Sequence, residues 1–411
     1  MKSFMTHQML SEAKNTHMTH IEDKVLYGGV EGTRQAINAL RSLRDMLAGK
    51  HKGDISVKWD GAPAIFAGID PRDGKFFVAK KGIFNKNPKV YKTKADVDAD
   101  TSGDLNVKLN AALEELPALG IKGVIQGDFL FGPGDVATKN IGGDAYVTFH
   151  PNTIVYALPT GSAAAKEVKT ARIGIVWHTT YTGDTFESMR ASFGVNVGAL
   201  KNSRKVWSQD AMLRDVTTAT LSARQTKEVT EYLSTAGKLF QKIAGSTLRQ
   251  LESNQDLAQL IEQFNNTFVR KGMVIQDSRR HVIALQRWLR SRYKAEMDKR
   301  KTSAGKKAQQ AKLNAIMAFF SKQNTASLIA MFELQKNIVL AKLILINKLN
   351  ALANIDTFVK TSKGYKVTGQ EGFVAIDKLG GDAVKLVDRM EFSYNNFSPD
   401  ILKGWDKPSR K

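Results

Sequence analysis

The sequence contains no cysteine. The chain therefore cannot form a disulfide, bind a metal through thiolates or use a cysteine as a nucleophile. This composition fits a reducing compartment, and the cytoplasm is the location that we expect.

A long uncharged apolar run is also missing. The most apolar stretch, residues 327–352, is interrupted by four charged side chains, which are Glu333, Lys336, Lys342 and Lys348. A membrane span needs about 20 nearly uncharged residues. We therefore expect a buried helix in this stretch and no membrane partner.

Acidic residues are too few to balance the basic ones. The 411 residues include 61 Lys and Arg against 40 Asp and Glu, so the formal net charge at pH 7 is +21. Such an excess favours a polyanionic partner, and nucleic acid is the one that we expect. Membrane surfaces and acidic proteins are the other classes that this charge fits. The length is sufficient for two or three folded domains.

The texture of the sequence changes along the chain. Residues 21–49 have helical spacing, with Leu40, Leu43 and Leu47 on one side, and short β-type runs follow to about residue 181. Helical spacing dominates from about 207 to 356, and β-type runs return after 363. This order predicts an α+β protein with one β-rich domain and a large helical insertion. The predicted bounds are 1–50 for an N-terminal helical segment, 51–205 and 359–411 for the β-rich domain, and 206–358 for the insertion.

The stretch ISVKWDGAPAIFAGID, residues 55–70, places a lysine and an aspartate in an apolar, strand-like run. A charged side chain among buried neighbours loses hydration, so it is rarely buried without a partner. One interpretation is an edge strand, with Lys58 in water and Asp60 and Gly61 in a turn. The other is that Lys58 is a nucleophile, which requires supporting residues elsewhere in the chain.

Supporting residues follow in a defined order. Asp128 lies in the run GVIQGDFLFG, Glu371 precedes the run GFVAI, and Lys385 lies in AVKLVDRMEF. With KWDG before them, these motifs resemble those of the covalent nucleotidyltransferases, which include ATP-dependent DNA ligases, RNA ligases and mRNA capping enzymes. The resemblance covers residues 55–181 and 364–397. The chain also resembles uncharacterised proteins of large tailed phages.

The resemblance implies a ligase-type nucleotidyltransferase domain and a role for each matching residue. Lys58 would attack the α-phosphate of ATP, and Asp60 would orient the ribose or the lysine. Because an ordinary lysine with a pKa of ~10.4 is protonated at neutral pH, the attack requires desolvation, nearby cations or a metal. The implied catalytic residues are Lys58, Asp60 and Lys385; the nucleotide-binding residues are Gly61, Lys80, Lys81, Trp177, Lys385 and Arg389, with the Trp177 ring stacked on the base; the ligands of Mg²⁺ or Mn²⁺ are Asp128 and Glu371. The alternatives are a position in the core for Trp177 and, for Asp128 and Glu371, strand-end carboxylates paired with lysine.

Three departures from the family pattern modify this expectation. Asp128 stands where the family usually has glutamate, and Val387 stands where the last motif has a second lysine, which Arg389 would replace. Only 14 residues follow Phe397, so we expect no C-terminal OB-fold. The helical insertion or the N-terminal segment would then bind the polynucleotide.

The predicted insertion has the charge for that role. Between Arg270 and Lys312 there are 14 Lys and Arg against three acidic residues. Four of these cations are predicted to line one helix as a phosphate-binding surface, and they are Arg280, Arg287, Arg290 and Lys294. The alternative is a solvated helix followed by a disordered basic loop, KRKTSAGKKAQQAK.

The sequence thus predicts an ATP-dependent polynucleotide ligase that acts through lysyl-AMP on RNA or nicked DNA. RNA is favoured because no OB-fold is expected and RMEFSYNNF resembles the RNA-ligase form of the last motif. A nucleotidyltransferase with another acceptor is one alternative. A nucleic-acid-binding phage structural or packaged protein that lacks turnover is the other. A phage enzyme would act in the host cytoplasm, and a packaged protein would be part of the virion.

Overall fold

Strands and helices alternate in blocks along the chain. The computed structural model describes residues 19–49, 54–213, 220–352, 355–376 and 383–404. The strands, in chain order, are β1 Asp54–Lys58, β2 Ala64–Ile69, β3 Phe76–Ala79, β4 Val124–Phe131, β5 Ala137–Ile141, β6 Asp144–Phe149, β7 Ile154–Pro159, β8 Ile173–Thr182, β9 Arg190–Phe193, β10 Val206–Asp210, β11 Met212–Leu213, β12 Asp356–Thr361, β13 Gly364–Val367, β14 Gly372–Ile376, β15 Ala383–Leu386 and β16 Ile401–Leu402. The α-helices are α1 Lys24–Tyr27, α2 Gly29–Leu47, α3 Lys94–Asp100, α4 Gly103–Glu115, α5 Ala163–Thr170, α6 Ala223–Phe240, α7 Gly245–Ser253, α8 Gln255–Val269, α9 Ser278–Asp298, α10 Ser303–Ala318, α11 Lys322–Asn350 and α12 Arg389–Phe397.

The strands form three sheets. Sheet A has the order β11-β1-β14-β15, sheet B has β10-β8-β4-β2-β3 with β9 beside β8, and sheet C has β13-β12-β7-β6-β5 with β16 beside β12. Sheet A joins strands from both ends of the β-rich sequence, because β1 pairs with β14 in antiparallel register from Asp54↔Ile376 to Lys58↔Gly372. The prediction of an α+β protein is confirmed at the level of a mixed protein with helices and sheets.

The helices from α6 to α11 pack together around an apolar core. Helix α2 joins them, because its buried side chains lie in the same core, among them the predicted Leu40, Leu43 and Leu47. The N-terminal helix is therefore part of the helical unit and is not a separate segment. The helices of the predicted insertion begin at Ala223 and end at Asn350, whereas the predicted bounds 206 and 358 fall on β10 and β12. The local sequence pattern did not distinguish β10 and β12 from the neighbouring helices.

The basic stretch after α9 is also helical. Thr302 caps the start of α10, since its side chain accepts a hydrogen bond from the Gly305 amide at 3.1 Å. Capping of this kind compensates an amide that has no partner within the helix. The alternative of a disordered basic loop is therefore wrong for these residues.

Helix α11 has 29 residues and is buried along much of its length, as predicted. None of the described helices combines the length with the apolar character required to cross a membrane. One of the charges on α11, Lys342, is buried with a partner.

That partner is Glu22, which precedes α1. The Lys342 ammonium lies 2.8 Å from both carboxylate oxygens of Glu22, and the two side chains are 1% and 5% exposed. Burial alone would raise the pKa of Glu22, but the charges of Lys342 and Arg389 lower it to about 2. This buried pair fixes the segment before α1 to α11, the longest of the described helices.

Breaking the pair should destabilise the fold. In the variant Lys342→Met, Glu22 stays buried without its closest cation, so the free energy of unfolding should fall by about 3–5 kcal/mol in urea titrations. The double variant Glu22→Gln/Lys342→Met leaves no uncompensated charge and should recover most of that loss. Lys336→Met is the matched control on the same helix, because Lys336 is 35% exposed and its pair with Glu333 should contribute less than about 1 kcal/mol. Equal losses in both lysine variants would contradict a special role for the buried pair.

Candidate functional site

Sheet A brings three of the predicted site residues together. Lys58 ends β1 opposite Gly372, Glu371 immediately precedes β14, and Lys385 lies on β15 opposite Val374. The Lys58 ammonium forms a salt bridge with the Glu371 carboxylate, although 313 positions separate them in the sequence. The Lys58 side chain is 36% exposed, so it is accessible to a ligand, whereas Glu371 is 10% exposed.

The glycine after Glu371 is required by this packing. A Cβ at Gly372 would lie 2.6 Å from the Leu386 carbonyl oxygen and 2.6 Å from the Val387 side chain. Any larger residue would push β14 away from the strand that carries Lys385. Packing therefore explains the glycine of the Glu371-Gly372 motif.

The charged groups around Glu371 shift one another's pKa values. Burial raises the pKa of Glu371 to about 7, Lys58 opposes this rise, and the Asp60 carboxylate adds to it. Burial also lowers the pKa of Lys385, and the charge of Lys58 lowers it further. Two ammonium groups thus lie around one buried carboxylate, an arrangement that favours the binding of an anion such as phosphate.

The motif implied that Asp60 orients either the ribose or the lysine, and its contacts fit the second of these roles. Its side chain is 4% exposed, and both of its oxygens accept hydrogen bonds. Oδ1 accepts from the Asn152 amide at 2.7 Å, and Oδ2 accepts from the backbone N–H groups of Thr153 and Ile154 at 2.6 and 2.8 Å. The Asp60 amide donates to the Tyr156 hydroxyl at 2.7 Å. Asp60 is therefore a positioning residue that fixes the chain after Lys58, and its carboxylate is not available to a ribose.

Gly61 brings the same turn against β4. A Cβ on this residue would lie 2.6 Å from the Asp128 Cβ and 2.8 Å from the Phe129 carbonyl oxygen. Asp128 is thus next to the turn that follows Lys58, as the motif order predicts. Its Oδ2 lies 3.5 Å from Nε2 of His178 on the neighbouring β8, and its side chain is 25% exposed.

The carboxylates of the site fit a metal ion only in part. Burial raises the pKa of Tyr156, and the negative charges of Asp60, Glu371 and Asp128 raise it further. Within the described ranges, no three His, Cys, Asp or Glu side chains are arranged to hold a metal ion. Asp128 and Glu371 could hold Mg²⁺ together with phosphate oxygens and water, which is how this ion is often bound in nucleotide sites.

Trp177, one of the predicted nucleotide-binding residues, lies in the protein core. Trp177 is fully buried among the apolar side chains beside sheet B, and its Nε1 donates to Ser208 at 3.3 Å. Of the two alternatives for Trp177, the structure agrees with the core position and not with stacking on a base; strand alternation alone does not show which face of β8 is covered.

Arg389 points into the helical unit. Its guanidinium lies 2.7 Å from Asp23 and 2.6 Å from the Asn266 side chain. It therefore does not take the place of the second lysine that Val387 lacks, and Val387 itself is fully buried.

The two lysines after β3 are outside the group around Glu371. Lys80 forms a salt bridge with Asp100 at 3.1 Å and lies over the Tyr91 ring at 5.6 Å. Lys81 begins a short 3-10 turn and is exposed. Their role in binding a nucleotide stays a prediction.

The predicted basic surface of the helical unit is exposed. Arg287, Arg290 and Lys294 lie on the side of α9 away from the buried Leu285 and Leu289. In the described part of the chain, no carboxylate lies within salt-bridge distance of these three cations. Arg280, two turns upstream, is 3.5 Å from Asp277.

The chain matches, over residues 15–400, a family described as a family of unknown function, DUF6267. The chain belongs to DUF6267. No curated protein and no solved structure matches it. The function of this DUF6267 protein must therefore be argued from its own residues.

Several residues around the candidate site of this DUF6267 chain were not predicted from the sequence. Asn152, Thr153 and Tyr156 hold Asp60, and His178 lies beside Asp128. The run HPNT before β7 has the composition of a polar turn, which signals a loop but not the carboxylate that it binds.

The position of Asp60 leads to a stability prediction. In Asp60→Asn, an amide NH₂ group cannot accept the two backbone N–H groups that Oδ2 accepts, so the free energy of unfolding should fall by about 1–3 kcal/mol in urea titrations. Asp128→Asn is the matched control and should change it by less than about 0.5 kcal/mol, since Asp128 is partly exposed and has only a distant histidine neighbour. An Asp60→Asn protein as stable as the wild type would exclude the positioning role.

Proposed function

We propose that this DUF6267 chain is a covalent nucleotidyltransferase, and that sheets A to C form a ligase-type nucleotidyltransferase domain carrying the helical unit. The observation that carries the proposal is the meeting of Lys58, Glu371 and Lys385 on adjacent strands. A reactive lysine beside a buried carboxylate and a second cation meets the requirements of attack on a phosphate.

In the proposed reaction, Lys58 Nζ transfers a proton to the Glu371 carboxylate and attacks the α-phosphorus of ATP. A bond forms between Nζ and phosphorus, and the bond from this phosphorus to the bridging oxygen of the β-phosphate breaks. Pyrophosphate leaves with the electron pair, and lysyl-AMP remains on the enzyme. Lys385 stabilises the negative charge of the phosphate during the step. The raised pKa of Glu371 suits a group that takes up a proton near neutral pH.

Asp128 and Glu371 would hold Mg²⁺ or Mn²⁺ with oxygens of the nucleotide. When bound, the ion would neutralise charge on the phosphates. A carboxylate that takes up the Lys58 proton cannot hold a cation at the same time, so Asp128 would hold the ion during the attack and Glu371 would do so only in its ionised form.

The acceptor that we propose is a polynucleotide, with RNA favoured over nicked DNA. The net charge of +21 and the exposed cations of α9 support it, since phosphate contacts dominate such binding. The AMP group would pass to a terminal phosphate of the strand before sealing. The enzyme would act in the cytoplasm, that of the host if a phage encodes it.

One observation favours a second candidate, a nucleic-acid-binding protein without turnover. The last motif places one lysine, Lys385, at the site. Val387 occupies the position of the second lysine and is buried, and Arg389 binds acids of the helical unit instead of facing the site. The labelling experiment below decides between the two candidates.

Incubation with α-labelled ATP and Mg²⁺ or Mn²⁺ should attach one labelled, acid-labile AMP group at Lys58, to be mapped by mass spectrometry. Lys58→Arg should abolish the labelling while keeping the salt bridge with Glu371, because a guanidinium stays charged and does not attack. Lys89→Arg, the same change at an exposed lysine paired with Asp100, should leave Lys58 labelled. An unlabelled wild-type protein would exclude the enzyme and favour the second candidate.

The exposed cations of α9 should bind the polynucleotide backbone. Replacing Arg287, Arg290 and Lys294 by Gln should leave the labelling of Lys58 unchanged, because that step involves only the nucleotide and the ion. Polynucleotide affinity should fall at all sequences. The slope of log K against log salt should decrease by about 0.7 to 0.9 for each lost phosphate contact, with the lower value for single strands.

The matched control for this surface neutralises three exposed lysines of the β-rich part, Lys139, Lys166 and Lys169. This variant lowers the net charge of the protein by the same amount as the α9 variant. It therefore separates a local contact made by α9 from the general effect of the net charge of +21. An unchanged salt slope in the α9 variant would show that this helix is a solvated surface.

A further inference from the structure

An exposed surface of aromatic and basic side chains lies beside the proposed active site. It is formed by the β12–β13 hairpin and α12, and we call it the hairpin surface; its members are Lys363, Lys366, Tyr394 and Phe397. Phe397 is 69% exposed, the largest value for an aromatic side chain in the described ranges, and Tyr394 is 43% exposed. Large apolar groups in water at one place indicate a binding surface.

The hairpin and the helix are fastened to each other, so the surface has a defined shape. The Thr368 hydroxyl donates to Glu391 at 2.7 Å and accepts from the Asn395 side chain at 2.8 Å. The Lys366 ammonium lies 5.0 Å from the centre of the Tyr394 ring. Phe397 follows Tyr394 by three positions and so lies on the same side of α12.

The charge of this surface has one sign. The segment KTSKGYKV, residues 360–367, contains three lysines and no acidic residue. Among the residues that the structure describes, no carboxylate lies within salt-bridge distance of Lys360, Lys363 or Lys366. Unpaired cations between exposed aromatic rings are the arrangement by which proteins hold single-stranded nucleic acid, with bases on the rings and phosphates on the lysines.

The hairpin surface is also directly connected to the site. Glu371 follows Val367 by four residues, and α12 begins shortly after Lys385. On the inner side of α12, Phe392 lies 5.9 Å from the Lys385 ammonium. A strand bound on the outer side would therefore be held close to Lys58 and Glu371.

We propose that the hairpin surface binds a single-stranded segment of the polynucleotide, with two bases stacked on Tyr394 and Phe397 and neighbouring phosphates on Lys363 and Lys366. The link to catalysis rests on the proposed nucleotidyl transfer, whereas the binding itself rests on the surface alone. This contact would lie on the β-rich part and is distinct from the cations of α9.

The test uses the full chain and a fluorescent single-stranded RNA of about 20 nucleotides, with the matching DNA strand and an RNA duplex as further probes. Tyr394→Ala and Phe397→Ala should each weaken single-strand binding by roughly tenfold in anisotropy titrations, because each ring loses a stacked base. Duplex binding should change much less, because paired bases are not free to stack. Lys363→Gln with Lys366→Gln should lower the salt slope for the single strand by roughly 0.7 per contact.

The matched controls lie on other surfaces of the β-rich part. Phe193→Ala removes a ring that is 47% exposed on β9, and Lys139→Gln removes a cation from β5 at the opposite edge of sheet C. Neither should alter the single-strand affinity. An unchanged affinity in the Tyr394 and Phe397 variants would overturn the proposal. It would also be overturned if these variants bind RNA normally but lose binding to vesicles that contain an anionic lipid.

Labelling of Lys58 by ATP separates this proposal from the proposed function, because the first step needs no polynucleotide. A protein that labels normally but binds RNA equally well without the two rings would contradict the hairpin surface alone. A protein that is not labelled but binds RNA through these rings would contradict nucleotidyl transfer alone.

Discussion

The antiparallel pairing of β1 with β14 is the constraint on which the rest of the structure depends. It joins residues 54–58 to residues 372–376 in one sheet. The helical unit lies within the intervening chain, after β11 of sheet A and before β12 of sheet C, so the chain must come back to sheet A at β14 once the helices and sheet C have formed. The same register places Lys58 next to Glu371, so one set of backbone hydrogen bonds creates both the architecture and the candidate site.

A second constraint ties the helical unit to the site. The backbone of His20 forms a bridge with that of Lys385, and Glu22 and Asp23 bind Lys342 and Arg389. Burial raises the pKa of Asp23 to about 7 against the opposing charge of Arg389, which shows how far this network is removed from water. Buried ionic groups of this kind are costly unless all are paired, so they fix one relative arrangement of the elements that carry them.

The candidate site and the two proposed binding surfaces have different physical characters. Around Glu371 the charges are partly buried and strongly coupled, as suits chemistry on a phosphate. On α9 and on the hairpin surface the cations are exposed, so their effect is screened by salt and acts mainly on binding. Membership of DUF6267 adds no activity to this comparison, and the case for nucleotidyl transfer rests on the geometry of the three site residues.

The residue types of the site, the blocks of strands and helices, and the burial of α11 could be predicted from the sequence, because each is expressed in local spacing. Which of these side chains meet depends on the packing of distant segments. Asp23, the acid nearest to Arg389, lies 366 positions away, and the amides that hold Asp60 belong to a loop with no distinctive pattern. Trp177 is covered because other elements pack on its face of β8. A side chain's direction and partners depend on contacts between distant segments, and local spacing carries no information about those contacts.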